Sequence, residues 1–166
     1  QKSDFTEAAV KLDKFYADFP TKSELSYAVI LRAHAALGLG DLAKAAEEFA
    51  RFATNKSWKG HPMAAEGLCG AGASILTNDP GQAVSYLTLA MSNGGPKSPY
   101  YAPASLYLGE AYRRLCYFDR AIPNLLWIQT NEHLSNDFYA VTATWRLAQA
   151  WQAKNSPDDA INWYRQ

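Results

Sequence analysis

Five alanines set the frame of this chain. Ala8, Ala45, Ala83, Ala121 and Ala160 follow one another at intervals of 37, 38, 38 and 39 residues. They open one pattern, a small residue followed by apolar residues four and seven positions on, in AAVKLDKF, AAEEFARF, AVSYLTLA and AIPNLLWI, and AINWYRQ matches it at the fourth position, Tyr164. A period near 38 residues built only from helical patterning predicts a stack of helix pairs. A second row of small residues, Ala33, Ala71, Gly109 and Ala148, stands twelve positions before the last four alanines. Two antiparallel helices pack closely where a small side chain lets one backbone approach the other. The spacing therefore puts one such residue on each helix of a hairpin, facing across a short turn.

In LYLGEAYRRLCYFDRAIPNLLWI, the residues Leu108, Gly109 and Tyr112 resemble the L-G-x2-Y of a tetratricopeptide first helix. Phe118, Ala121 and Leu125 are similar to the aromatic, alanine and large apolar residue of the second. The last repeat matches at Leu147, Ala148, Trp151, Ala160 and Tyr164, and the opening half-repeat at Phe5, Ala8, Leu12, Phe15 and Pro20. The resemblance spans essentially the whole chain. It implies an all-α, right-handed α-solenoid of antiparallel helix hairpins, with the first helices of successive hairpins lining a concave face that binds extended peptides or helices. Carried over by register, that face falls on Tyr27, Ile30 and His34, then on Ala65, Leu68, Gly72 and Ile75. It continues through Leu106, Glu110 and Arg113 to Thr142, Trp145, Gln149 and Gln152. The lysine and asparagine positions of the family's carboxylate clamp have no counterpart in this set.

Two departures from the family stand out. The period exceeds the family's 34 residues, and the surplus falls between hairpins, in SWKGHP and SNGGPKSP. The longer period resembles repeats of bacterial envelope-assembly proteins, which implies a periplasmic or envelope location, with the cytoplasm as the alternative. The other departure is EGLCGAGASIL, with Gly67, Gly70 and Gly72 in one helix. Each glycine costs about 1 kcal/mol against alanine in a helix interior. Unusually close packing against neighbours is the favoured reading, and a soft point in the stack is the other.

Punctuation places nine helices at 4–19, 23–39, 42–54, 62–77, 80–92, 100–116, 119–131, 136–154 and 157–166. Asp4 with Glu7, and Thr21 with Glu24, read as capping pairs. Pro62 opens a helix at its first position, and Pro80 and Pro157 sit in first turns behind Asp79 and Ser156. Pro103 and Pro123 lie a turn in, so their helices start late or bend. The domain reading is a single repeat domain over 1–166. It comprises the second helix of a first hairpin at 4–19, then hairpins at 23–54, 62–92, 100–131 and 136–166. Neither end carries a polar cap, so the chain reads as a piece of a longer repeat protein, and self-association through uncapped ends is one expectation.

Charge narrows the function. Lys plus Arg equals Asp plus Glu at 16 each, which removes the case for nucleic acid or an anionic membrane surface. No apolar run reaches the length of a membrane span. Cys69 and Cys116 read as buried small hydrophobes rather than a disulfide, and His34, His61 and His133 have no ligand spacing. No nucleotide loop, zinc-hydrolase motif, nucleophile elbow or CxxC occurs, so neither cofactor nor metal is expected. Arg113 either reads a ligand's carboxylate or phosphate, or pairs with Glu110 on a solvated helix face. Trp145 reads as an interface anchor or as packing, and the tyrosines Tyr100, Tyr101, Tyr107, Tyr112 and Tyr117 as a stacking platform or inter-helix packing. The leading expectation is a non-catalytic scaffold for a protein or peptide partner. The alternative is the helical arm of a larger enzyme or receptor.

Overall fold

The computed structural model describes residues 2–20, 25–131 and 137–166. Among them are nine α-helices and no strand: α1 (Lys2–Asp18), α2 (Leu25–Leu39), α3 (Leu42–Thr54), α4 (Ala64–Ile75), α5 (Pro80–Gly94), α6 (Tyr101–Arg114), α7 (Phe118–Thr130), α8 (Asp137–Ala153) and α9 (Pro157–Tyr164). Their ends fall within two residues of those read from sequence. Thr21, Glu24 and His133 lie outside the described residues. Each helix packs on the next along the chain, and α4, α6 and α8 also lie side by side. This is the expected all-α solenoid of antiparallel hairpins.

The small residues sit where the hairpins close. Ala33, Ala45, Ala71, Ala83, Ala121 and Ala148 are all fully buried. At Gly109 an added Cβ would lie 2.6 Å from Leu125 Cγ, so no side chain fits between α6 and α7. Large residues from adjacent helices fill the remaining space. One cluster runs from Val29, Ile30, Phe49 and Phe52 to Leu87 and Leu108. A second joins Leu106, Leu125, Ile128 and Leu147. Each such side chain contributes about 1.5–3 kcal/mol on burial.

The glycines of α4 report close packing. Gly67 faces Phe52 of α3 and Ile30 of α2, Gly70 faces the Phe49 ring, and Gly72 faces Leu87 of α5. Three flanks of one helix are each pressed by a bulky neighbour.

Several caps match expectation and some do not. Asp41 accepts from the Lys44 N–H at 3.0 Å, and Asp79 from Gln82 at 2.8 Å. Because α1 begins at Lys2, Asp4 lies within its first turn instead of capping it. Because α4 begins at Ala64, Pro62 precedes the helix. Pro103 falls in the first turn of α6, where its missing N–H costs nothing, whereas Pro123 lies inside α7, which does not start late.

Three hairpin turns share one device. At the ends of α2, α6 and α8, the residues Gly40, Cys116 and Asn155 take positive φ. The next N–H bonds back five residues, from Asp41 to Ala36, Tyr117 to Tyr112 and Ser156 to Trp151. This is the Schellman closure. It also corrects one expectation: Cys116 is exposed, because the turn lifts it out of the core, while Cys69 is buried. A Cβ at positive φ is strained by about 1 kcal/mol, which glycine relieves. Cys116→Gly is therefore expected to raise the urea midpoint, equivalent to a gain of about 0.5–1 kcal/mol. An unchanged or lower midpoint would count against the turn geometry.

Inserted residues between α3 and α4 are packed. Trp58 lies 5.4 Å from the Phe52 ring, and His61 sits 4.4 Å from Tyr27.

Candidate functional site

The first helices of the hairpins, α2, α4, α6 and α8, frame a groove of about 490 Å³. His34 and Leu37 of α2, with Leu42 and Phe49 of α3, form one wall. The floor is Glu66, Cys69, Gly70, Ala73 and Ser74 of α4. Tyr100, Pro103 and Tyr107 at the start and middle of α6, and Tyr139 of α8, complete it. Ligand clefts typically span about 300–1,000 Å³ and combine apolar walls with a few placed polar groups, and this groove has that make-up.

Its polar centre is one carboxylate. His34 Nε2 lies 2.5 Å from Glu66 Oε1, and the Tyr100 phenol also bonds to Glu66. The His34 bond holds the Glu66 carboxyl below its ordinary range against the opposing effect of burial. Burial raises the Tyr100, Tyr107 and Tyr139 phenols, so all three stay neutral near pH 7. Cys69 is pushed up to about 12 by burial and by the Glu66 charge, which leaves it an inert thiol. No lysine or arginine lines the groove.

Further along the same helices lies a charge cluster. Arg113 Nε and Nη2 donate to Glu110 Oε2 and Oε1 at 2.7 and 2.9 Å. Arg114 Nε donates to Oε1 at 2.8 Å, and Arg146 Nε approaches Oε2 at 3.3 Å from α8. Arg146 Nη1 also donates to Gln149. Burial favours the neutral acid at Glu110, but the Arg113 hydrogen bonds and the guanidinium charges outweigh it and hold the carboxyl low.

The residues singled out by sequence thus separate. His34 alone enters the groove. Glu110 and Arg113 pair, with Gln149 joined through Arg146. Tyr27 packs on His61. Trp145 lies 5.3 Å from Tyr164 of its own hairpin, whose hydroxyl donates to Gln152. Of the remaining register positions, Ile30, Ala65, Leu68, Gly72 and Leu106 are buried, not on an open face. The reason is the glycine-driven seating of α4 and the tight α6–α7 contact. In α4 the groove is lined by positions 66, 69, 70, 73 and 74, of which 66, 69 and 73 lie one residue on from 65, 68 and 72. Glu66 and Tyr139 were missed. Tyr100 and Tyr107 belong to the groove, whereas Tyr101 stacks on Trp127 at 4.5 Å and Tyr112 and Tyr117 flank Arg120.

One pair mimics a catalytic dyad. His61 Nε2 lies 3.0 Å from Ser26 Oγ. The other ring nitrogen, Nδ1, accepts from the Met63 N–H at 3.1 Å. The proton therefore sits on Nε2, which donates to the serine, and such an imidazole cannot act as base toward that hydroxyl. Among the described residues no His, Cys, Asp and Glu grouping could hold a metal, and no helix is long and apolar enough to cross a membrane.

No protein-family model and no curated protein matches the chain. Solved structures do match, two of MamA among them. A crystal structure of MamA superposes with TM-score 0.76 at 19% identity, over 99% of this chain and 86% of that one. A second MamA crystal structure gives 0.77 at 19%, over 99% and 81%. At this identity the likeness concerns the backbone alone, and the chain shares with MamA a tetratricopeptide-like helical-repeat fold.

Proposed function

We propose that this chain is a non-catalytic scaffold that holds a protein partner, seating a peptide or helix of it across the concave face formed by α2, α4, α6 and α8. The carrying observation is the groove itself. Four aromatic rings and two leucines surround one ordered carboxylate, an arrangement suited to anchoring an apolar side chain beside a polar one. The repeat fold supports the reading, since stacked hairpins offer extended binding surfaces.

Site-directed photocross-linking tests it. A photoreactive residue replaces Leu37, exposed on the groove wall, or Leu89, exposed on α5 outside it. Adducts with a specific protein from the native cell are expected at Leu37 and not at Leu89. Adducts only at Leu89, or at neither position, would refute the groove as the docking face.

A further inference from the structure

Three guanidiniums converge on one carboxylate, and their charge is not balanced there. Arg113, Arg114 and Arg146 carry three positive charges. Glu110 removes one, and the negative end of the α6 dipole, on whose last turn Arg113 and Arg114 stand, removes about 0.5 more. About 1.5 charges remain. Among the described residues no other acidic side chain pairs with any of the three. The guanidinium-bearing side chains stay 25%, 36% and 30% exposed, while that of Glu110 is 6% exposed. Each guanidinium has about five N–H donors, and Glu110 and Gln149 engage one or two on each. Glu110 thus acts as a peg that gathers three forks and leaves most of their donors open.

We propose that Arg113, Arg114 and Arg146 form a binding site for a phosphate monoester, presented by a phosphorylated side chain of the protein partner. The identity of that occupant rests on the scaffold reading above. A phosphorylated side chain carries about −1.5 to −2 at pH 7 and three acceptor oxygens on one atom. That matches a surplus concentrated at one point, whereas a single carboxylate leaves about half a charge of it unmet. Position supports the same occupant. Tyr107 and Arg114 lie seven residues apart on α6, and Tyr139 and Arg146 seven apart on α8. Two helical turns keep each pair on one side of its helix, about 10 Å apart. An extended segment anchored in the tyrosine groove reaches the arginines about three residues further on.

The test is fluorescence anisotropy on the chain with capped, degenerate peptides that carry a central phosphoserine and an aromatic residue three positions to either side. Controls are the unphosphorylated library and one with two aspartates at the centre. The phosphoserine library is expected to bind at least about ten-fold more tightly than either control. Arg146→Gln removes the preference while Arg113 and Arg114 still hold Glu110, and its far-UV melting curve verifies the fold. Arg114→Gln is the second such variant. Arg120→Gln, outside the cluster, keeps the preference. Equal binding of phosphorylated and plain libraries overturns the phosphate site and leaves the groove standing. An aspartate library as tight as phosphoserine overturns it in favour of an acidic segment. Inorganic phosphate alone competing at the peptide's own affinity means an adventitious ion only. If no library binds, the inference fails, and cross-linking at Leu37 separately decides whether the groove holds a partner.

Discussion

Gly67→Val is expected to lower stability by about 3–4 kcal/mol. An added Cβ at this position lies 2.4 Å from Phe52 Cδ1 and 2.8 Å from Ile30 Cδ1. Phe52 and Ile30 are both buried, and both must shift to admit the added atoms. Overpacking of a full core costs about 1–3 kcal/mol for the first methyl group and more for a branched side chain. Against this, replacing glycine in a helix interior gains at most about 1 kcal/mol. The steric term wins. Gly67→Ala should lie between, destabilising by about 1–2 kcal/mol. Gly81 is the control: its nearest neighbour to a built Cβ is Asp79 Oδ1 at 3.5 Å, an ordinary contact. Gly81→Ala should be neutral or gain about 0.5 kcal/mol. Thermal melts of the three variants decide the matter, because a stabilised Gly67→Ala would mean that α4 is loosely packed after all.

The same glycines explain what could and could not be read from sequence. The alanine row was legible because the residues that make the hairpin contact are themselves the pattern. Ala33 faces its partner helix for the steric reason that fixes its spacing from Ala45, and both are fully buried. The groove had no such signature. Its lining comes from His34, Glu66, Tyr107 and Tyr139, which hold different positions in their repeats and carry no residue type common to all four. A register carried over from the family also assumes that each first helix turns the same side outward. In α4, close seating against Phe49, Phe52 and Leu87 turns Glu66, Gly70, Ala73 and Ser74 toward the groove, above a buried Cys69, instead of Ala65, Leu68 and Gly72. Cys116 shows a different limit. Composition favours burial of a cysteine, yet the backbone needs a positive-φ residue there, and glycine or asparagine fills the matching position in α2 and α8. Trp145 shows a third: it lies 5.3 Å from Tyr164 of its own hairpin and is still 54% exposed, so helical spacing alone does not separate packing from a face open to a partner.

Glu110→Leu should cost about 2–3 kcal/mol at pH 7 and flatten the response to acid. Breaking a buried ion pair by removing one partner costs about 3–5 kcal/mol. The figure is reduced here because the three guanidinium side chains are a quarter to a third exposed and regain water. Leucine leaves three like charges gathered around an apolar side chain, with α6 and α8 no longer joined through the Arg146 contact. The pH effect follows from the direction of the shift. The folded chain holds the Glu110 carboxyl below its ordinary value of 4.5. Where the unfolded chain binds the proton first, stability falls as pH falls. The Glu110 contribution is therefore complete above about pH 5.5, declines as pH drops through 4.5, and is gone once the folded carboxyl is itself protonated. Glu66 shifts in the same direction through His34 and adds to the decline. Urea unfolding at pH 7 and pH 3.5 should show a smaller acid loss for Glu110→Leu than for the unaltered chain, with a further part of the loss removed by Glu66→Gln. High salt should weaken the Glu110 contribution only in part, since partly buried pairs are screened less than exposed ones. An acid response identical in the variant and the unaltered chain would show that the arginines do not stabilise this carboxylate, and the charge surplus assigned to them would then have no peg to gather it.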